Sequence, residues 1–140
     1  MRIMALDVGN KRIGVALSDP TETLAQGITV VYHRSRQADA EAVLALAREH
    51  EVGEIVVGYP LLLSGRPGEQ ARAARRLGGE LARKGGLPVV YWDERLTTAA
   101  ARRLMHEAGI SSRNQAQRID AAAAELILQS YLDSRKREQR

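Results

Sequence analysis

The sequence predicts an α/β fold in which helices flank a mixed five-stranded sheet. Two observations predict it. Three strand-like segments joined by short turns come first, which is typical of neighbouring antiparallel strands. Short, continuously apolar segments then alternate with segments of helical periodicity, which is typical of parallel strands connected by helices. At 140 residues the chain has the length of one ordinary domain with its own core.

The strands follow from short apolar segments bounded by turn residues. They are expected at residues 2–8, 12–18, 27–32, 54–60 and 87–94. The glycine-containing turn Gly9–Lys11 lies between the first two and predicts a hairpin. The last two segments, EIVVGYP and LPVVYWDE, are apolar without alternation, which indicates strands buried on both faces.

The helices follow from apolar residues at helical spacing. They are expected at residues 37–51, 69–84, 97–108 and about 117–134. The second helix ends at Gly85–Gly86, and Thr97 or Thr98 is placed to cap the third. The predicted order is therefore β-β-β-α-β-α-β-α-α. We assign residues 1–134 to a single domain and residues 135–140 to a basic solvated tail.

The composition is that of a basic globular protein. Apolar residues make up 44% of the chain, the formal charge is +4 and the pI is about 9.8. Most of the cations are arginine, which binds phosphate bidentately, so a nucleic-acid partner is favoured over an ordinary solvated surface. No apolar run could span a membrane and no signal-peptide pattern begins the chain. The absence of cysteine excludes disulfides and fits a cytoplasmic protein.

Acidic residues interrupt the apolar pattern at three places. Asp7 ends the apolar run of the first strand, Asp93 and Glu94 end the strand at 87–94, and Asp120 lies in the first turn of the last predicted helix. Each has an ordinary structural explanation: a turn-forming aspartate, a polar strand end, and a favourable charge at a helix start. Because ligands bind at the carboxyl ends of strands in open α/β sheets, a shared site is the alternative.

A shared site would contain several carboxylates, which repel one another unless a cation lies between them. Mg²⁺ suits such a site because it prefers oxygen ligands and keeps room for water and phosphate oxygens. Two such ions about 3.5–4 Å apart could hold the attacking and leaving oxygens of a phosphodiester hydrolysis. Asp7 would then hold metal, Gly9 would let a nucleic-acid backbone approach, and Lys11 and Arg12 would contact its phosphates.

Four segments of the chain resemble the signature blocks of the YqgF/RuvX family. They are LDVGNKRIGVALSD, VVGYPLLLSG, DERLTT and IDAAAAELILQSYL, in family order and spacing over nearly the whole chain. Members are described as Holliday junction resolvases or as pre-16S rRNA nucleases. The resemblance implies a ribonuclease H-like fold and an endonuclease that uses Mg²⁺ or Mn²⁺, as two ions, to cleave branched DNA or structured precursor RNA.

The resemblance also implies roles for individual residues. Asp7, Glu94 and Asp120 would be the catalytic metal ligands. Asp93 is the alternative to Glu94, because neighbours on a strand point to opposite faces. The residues expected to bind nucleic acid are Gly9, Lys11, Arg12, Arg95, Arg72, Arg75 and Arg76. The arginines within 69–84 fit either a phosphate-binding face or a solvated one. A homodimer would suit symmetric cleavage of a four-way junction.

Two other functions stay open at this point. The first block also resembles the phosphate-binding hairpin of actin-like ATPases and sugar kinases, although those proteins close two domains over the nucleotide. A nucleic-acid-binding module without catalysis would keep the charge and lose the cleavage.

The chain departs from the family pattern at Gly58–Tyr59–Pro60, where members often have leucine in the middle position. The leucines at 61–63 that follow would pack on the protein or wedge against opened base pairs. His33, His50 and His106 lack the spacing of metal ligands and are predicted to be surface or packing residues.

Overall fold

The computed structural model describes residues 1–59, 64, 66–93 and 113–138, with the backbone alone at 113–118 and 137–138. The elements within these ranges are β1 (Arg2–Val8), β2 (Arg12–Ser18), β3 (Ala25–Tyr32), α1 (Arg36–Glu49), β4 (Val52–Tyr59), α2 (Glu69–Gly85), β5 (Val89–Asp93) and α3 (Arg113–Glu138). The helix predicted at 97–108 and the leucines at 61–63 lie outside the described residues.

The five strands form one mixed sheet in the order β3-β2-β1-β4-β5. The pairs β1–β2 and β2–β3 are antiparallel, whereas β1–β4 and β4–β5 are parallel. The predicted mixed five-stranded sheet with flanking helices is thus confirmed. Since β1, β4 and β5 run in the same direction, their carboxyl ends meet at one edge of the sheet, where α/β proteins bind their ligands.

The turn between β1 and β2 is closed by backbone hydrogen bonds. The Gly9 amide donates to the Arg12 carbonyl at 2.9 Å, and a Cβ at Gly9 would lie 2.8 Å from that oxygen. The His33 amide, just after β3, donates to the Lys11 carbonyl at 2.9 Å. Glycine is therefore required by the turn itself, and the turn is fixed to its neighbouring strand.

Alternation along β1 divides its side chains between two helix layers. Met4 and Leu6 pack in the core cluster that contains the buried faces of α1 and α2. Ile3 and Ala5 pack in the cluster that contains the buried residues of α3. Helices cover both faces of the sheet, which explains why the strand is apolar without alternation.

Helix α3 lies directly on the glycines of two strands. A Cβ at Gly14 of β2 would come within 2.0 Å of the Asp120 carbonyl oxygen, and one at Gly27 of β3 within 2.6 Å of the Ala121 oxygen. The Gly27 amide also donates to Glu125 Oε1 at 2.9 Å. The absence of side chains at these two positions therefore sets how closely, and where, α3 crosses the sheet.

Helix α3 differs in extent from the predicted helix at about 117–134. It covers Arg113–Glu138, so Asp120 lies well inside the helix rather than in its first turn. Arg135, placed by the sequence in a solvated tail, belongs to this helix and forms ion pairs with Glu22 at 3.3 Å and Glu54 at 3.7 Å. The helix continues because this segment contains neither glycine nor proline and its arginine finds carboxylate partners.

The boundaries of α1 and α2 follow from their capping residues. Ser35 precedes α1, and its hydroxyl accepts a hydrogen bond from the Ala38 amide at 3.1 Å. Gly86 ends α2 with a φ of 66°, the left-handed conformation that favours glycine. Across the described part of the chain, no helix combines the length and apolar character that a membrane span requires.

Candidate active site

Asp7 lies near the carboxyl end of β1, the central strand of the sheet. It has the same strand parity as Ile3 and Ala5, whose side chains pack against α3. Asp7 is therefore on the α3 face, and it is partly exposed while the four residues before it in β1 are buried. The sheet thus positions a carboxylate at the edge where the parallel strands end.

Asp120 reaches the same place from the other end of the chain. In the β1–β2 register, Asp7 pairs with Gly14, and the Asp120 backbone lies directly over Gly14. Both aspartates line one pocket of about 290 Å³, together with the Gly9–Arg12 turn, Gln70 of α2 and residues of α3. The structure therefore brings together two of the three acidic positions that the sequence singled out.

Arg12 pairs directly with Asp120. Its Nε donates to Asp120 Oδ2 at 2.6 Å, and both side chains are about three-quarters buried. A charge-assisted bond of this kind is stronger than one between neutral groups. The sequence predicted Arg12 as a phosphate contact; the structure gives it a second role, since it holds Asp120 and offsets its charge.

Lys11 lines the same pocket from the exposed tip of the turn, next to Gly9 and Asn10. The bond from the His33 amide to its carbonyl fixes the backbone of Lys11 and leaves its ammonium group at the surface. A cation at the mouth of a carboxylate pocket is suitably placed for a phosphate entering that pocket.

Strand alternation separates Asp93 from Asp7. Asp93 has the parity of Val89 and Tyr91, which pack against the α1–α2 core, whereas Trp92 packs against the α3 core. Asp93 thus belongs to the opposite face of the sheet from Asp7, although both lie at the same edge. Glu94 and Arg95 fall outside the described residues.

The three arginines of α2 that the sequence assigned to either a phosphate-binding face or a solvated one have different environments. Arg72 pairs with Glu69 at 3.3 Å. The guanidinium of Arg75 lies 4.5 Å from the ring centre of Tyr91 and 5.5 Å from that of Tyr59, within cation–π distance of both. Arg76 lines a second pocket, on the α1 side of the turn. The three side chains therefore lie in three different surroundings.

The rings beside Arg75 are packed against the sheet edge. Tyr59 and Tyr91 meet edge to face with ring centres 5.9 Å apart, and the Tyr91 hydroxyl donates to the Arg75 carbonyl at 3.3 Å. Burial raises the pKa of the Tyr91 hydroxyl, and the charge of Arg75 partly opposes this rise. Arg75 therefore packs against the aromatic side chains of β4 and β5.

Sequence reasoning missed two features of this region. The pair His33–Asp39 was not foreseen, because His33 looked isolated and was expected to be a surface or packing residue. Gly14 was not recognised as the seat of α3. A signal existed for Gly14: a glycine in a strand interior often marks the close approach of another backbone.

The described donors fit a hard divalent cation in kind. Asp7 and Asp120 provide carboxylate oxygens at a pocket open to solvent, and Mg²⁺ is commonly held by one or two carboxylates with water and substrate phosphates completing its shell. Within the described ranges, no group of three or more acidic, histidine or cysteine side chains is close enough to hold an ion. The third ligand implied by the sequence, Glu94, is outside those ranges.

Comparison with known proteins gives consistent matches over almost the whole chain. The family model RuvX, described as Holliday junction resolvase, matches residues 1–134. A protein of Moorella thermoacetica named "Putative pre-16S rRNA nuclease" is 51% identical over 133 residues, covering 95% of each chain. A protein of Thermoanaerobacter pseudethanolicus with the same name is 46% identical over 137 residues, covering 97% of this chain and 99% of the other.

Solved structures show the same fold at low sequence identity. Thermus thermophilus RuvC, in complex with a Holliday junction substrate, matches with a TM-score of 0.59 at 15% identity, over 97% of this chain and 96% of the other. The fowlpox virus resolvase in complex with Holliday junction DNA gives a TM-score of 0.59 at 11% identity, over 96% and 98% of the two chains. These matches confirm the predicted ribonuclease H-like fold.

Proposed function

The chain belongs to the RuvX family of Holliday junction resolvases, and from this membership we propose that it is a metal-dependent endonuclease acting on structured nucleic acid. One observation carries the proposal. Asp7 and Asp120 come from opposite ends of the chain and line one pocket, beside the cations Lys11 and Arg12. A solvated helix face or a turn aspartate would not require that convergence.

We infer that Asp7, Glu94 and Asp120 hold Mg²⁺ or Mn²⁺, as two ions. Divalent ions bound there would supply Lewis-acid chemistry, activating a water molecule and stabilising the leaving oxygen of the phosphodiester. The strand parity of β5 supports Glu94 over Asp93. A residue two positions after Trp92 in a continuing strand would lie on the face of Asp7, and Asp93 has the opposite parity.

The other residues of the pocket would bind and position the substrate. The exposed ammonium of Lys11 would contact a phosphate oxygen at the pocket mouth. Arg12 would act as a positioning residue, because its Nε bond fixes the Asp120 carboxylate and leaves its terminal nitrogens for a phosphate. The Gly9 amide is occupied by the turn, so Gly9 would contribute by shaping the surface.

The relatives favour precursor 16S rRNA as the substrate, since proteins 46–51% identical over nearly full length carry that name. The family description names the Holliday junction instead. Both substrates present closely spaced phosphates in a branched or folded duplex, which the same site can accept. Action on precursor rRNA would take place in the cytoplasm, and cleavage of a junction on two strands would suit a homodimer.

Cleavage assays with purified protein test the proposal. A four-way DNA junction, a matched duplex and a structured precursor RNA would each be incubated with Mg²⁺, Mn²⁺, Ca²⁺ or EDTA. We expect cleavage with Mg²⁺ or Mn²⁺ and none in EDTA, and binding without cleavage in Ca²⁺, whose longer bonds misplace the reacting oxygens. Cleavage that continues undiminished in EDTA would remove the metal mechanism, and binding without cleavage under every condition would support the non-catalytic module.

Substitutions of the carboxylates locate the site. Asp7→Asn, Glu94→Gln and Asp120→Asn should each lower the rate by several orders of magnitude, with little further loss in double variants, because residues that act as one unit are not additive. Asp133→Asn is the matched control, since Asp133 lies further along α3 and bonds Gln129 at 3.0 Å. An Asp7→Asn protein that folds and cleaves at the wild-type rate would contradict the assignment.

A further inference from the structure

A second pocket lies on the other side of the Gly9–Asn10 turn from the candidate active site. It has a volume of about 270 Å³ and shares Val8, Gly9 and Asn10 with the pocket of Asp7 and Asp120. Its polar lining includes His33, Arg36 and Arg76, so we call it the His33 pocket. The two pockets are therefore neighbours across a single turn of the backbone.

His33 is held in one orientation by Asp39. Its Nδ1 lies 2.5 Å from Asp39 Oδ2, and the other carboxylate oxygen accepts the Arg34 amide at 3.0 Å. The Asp39 side chain is only 5% exposed, whereas that of His33 is 49% exposed. Because Nδ1 faces the carboxylate, Nε2 is the ring nitrogen available to a ligand. Both Asp39 oxygens are engaged, one by His33 Nδ1 and the other by the Arg34 amide. The carboxylate therefore offers little repulsion to a phosphate that enters the pocket.

Two arginines from different helices complete the His33 pocket. Arg36 is the first residue of α1, is 52% exposed, and has only a long contact of 4.0 Å to Glu80. Arg76 of α2 is exposed and forms no ion pair with any residue in the described ranges. The acid that faces them, Glu69, is 84% exposed and is paired with Arg72. Arginines without tight partners that converge on one pocket suit a phosphate group, which guanidinium binds bidentately.

We propose that the His33 pocket binds a phosphate of the same nucleic-acid strand whose neighbouring phosphate lies at the active site. The strand would cross the Gly9–Asn10 turn, which forms the wall between the two pockets. This inference rests on the proposed function, and it adds His33, Arg36 and Arg76 as a substrate-binding group on the α1 side. The apolar lining residues Val8, Ile13 and Leu77 are aliphatic, and the polar lining is rich in cationic side chains, which favours a backbone phosphate over a base.

The test compares two double variants with the same change of charge. Arg36→Gln/Arg76→Gln alters the pocket, and Arg48→Gln/Arg83→Gln alters exposed arginines near the ends of α1 and α2. Binding of a labelled four-way DNA junction would be measured in Ca²⁺ over a range of salt concentrations. We expect the pocket variant to bind about tenfold more weakly than the control. Its log K should depend less steeply on log salt, by about 0.9 for one lost phosphate contact on duplex DNA.

A substrate series identifies the phosphate. Single neutral methylphosphonates would be placed at successive positions on both sides of the cleaved bond. One position should weaken binding to the wild type and to the control, and should have no further effect on the pocket variant. The single variant Arg76→Gln repeats the comparison if the double variant is poorly folded by circular dichroism.

The outcomes separate the inference from the proposed function. Equal affinities and salt slopes for the two double variants, or a methylphosphonate effect that is the same in both, would overturn the His33 pocket while metal-dependent cleavage stands. Failure of cleavage in every metal, with coupling at one phosphate retained, would leave the pocket as a binding site and remove the nuclease mechanism.

Discussion

Arg12 and Asp120, 108 residues apart in the chain, are joined by a hydrogen-bonded ion pair of 2.6 Å. The pair links the hairpin that contains Lys11 to the helix that crosses the sheet. It also places a guanidinium where a metal ion would otherwise be the counter-charge of Asp120. If the site holds a metal ion, as proposed, the strength of this pair would set the competition between arginine and metal for Asp120.

Arg12→Gln should strengthen metal binding and weaken the metal-free fold. Without the guanidinium, Asp120 is uncompensated, so we expect Mn²⁺ to bind about three- to tenfold more tightly. We also expect unfolding in EDTA to be easier by about 1–2 kcal/mol. Thermal unfolding across a Mn²⁺ titration measures both, because a ligand of the native state raises the Tm. Lys11→Gln is the control, because it makes the same change of charge and Lys11 has no bond to Asp120. An equal effect in Lys11→Gln would mean that the change in net charge, and not the loss of the Arg12–Asp120 bond, explains the result.

Asp93→Asn and Glu94→Gln should have unequal effects. Asp93 and Asp7 lie on opposite faces of the sheet, so Asp93→Asn should retain most of the cleavage rate. Glu94→Gln should lower the rate by several orders of magnitude. Single-turnover cleavage in Mg²⁺ decides between them, and an inactive Asp93→Asn beside an active Glu94→Gln would exchange their roles.

Gly14→Ala should disturb both stability and catalysis. The new methyl group would lie 2.0 Å from the Asp120 carbonyl, which belongs to helix backbone and cannot rotate away. Displacement of α3 should lower the free energy of unfolding by at least about 1–3 kcal/mol. It should also move Asp120 away from its position beside Asp7. Urea unfolding and cleavage rates measure the two effects.

Gly79→Ala is the matched control for Gly14→Ala, because an added Cβ there meets no described atom within 4 Å. Gly79 lies inside α2, where alanine should stabilise the helix by up to about 1 kcal/mol. A Gly14→Ala protein as stable and active as the wild type would show that α3 does not need the glycine seat.

Arg75→Gln should change the tyrosines beside it more than nucleic-acid binding. Loss of the cation–π contacts should cost about 0.5–1 kcal/mol, and the salt dependence of junction binding should stay close to that of the wild type. The pKa of Tyr91, already raised by burial, should rise further, because the positive charge that opposes the rise is gone. Ultraviolet titration of the phenolate measures that shift.

The sign of the Tyr91 effect follows from the raised pKa. The folded state favours the neutral phenol, so its contribution to stability is present below the unfolded pKa of about 10 and is lost as the pH rises through the folded value. Tyr91→Phe should accordingly make unfolding less sensitive to alkali. If log K for junction binding depends less steeply on log salt in Arg75→Gln than in the wild type, Arg75 belongs to the nucleic-acid-binding surface.

Asp19→Asn should flatten the acid limb of the stability curve. The hydroxyl of Thr21 and the amides of Leu24 and Thr23 donate to Asp19 and hold its pKa below the ordinary value of 3.8. The stabilisation is therefore present above pH 3.8 and is lost as the pH falls through the lower, folded value. Chemical unfolding between pH 2 and pH 7 checks this, with Glu41→Gln on the exposed face of α1 as the control; parallel curves for Asp19→Asn and wild type would contradict it.

Much of the fold could be predicted because its determinants are local. The turn at Gly9–Lys11, the helical spacing of Ala40 to Ala47 and the stop at Gly85–Gly86 each fix an element within a few residues. Element ends were less accurate where a distant partner decides them. Arg135 stays in α3 and pairs with Glu22 and Glu54, a relationship that no local pattern records.

The sequence indicated the acidic residues of the candidate site more clearly than its basic residues. Asp7 and Asp120 were conspicuous because each interrupts an apolar run. The charged partners were ambiguous, since an arginine on a helix face carries no mark of what it contacts. Arg75 reaches two tyrosines, Arg76 lines the His33 pocket, and Arg12 holds a carboxylate. Those relationships depend on tertiary packing, which spacing along the chain does not encode.

Because α3 has to pack on Gly14 to bring Asp120 beside Asp7, the candidate site is completed late in synthesis. Asp7 is synthesised 113 residues before Asp120, which belongs to α3. Chains emerge from the ribosome amino terminus first, so the hairpin and much of the sheet can form before α3 is available. The two carboxylates cannot meet until that helix has been released and has docked on the glycines. If cleavage needs both carboxylates, as proposed, a nascent chain would be unable to cleave the RNA around it until α3 has docked.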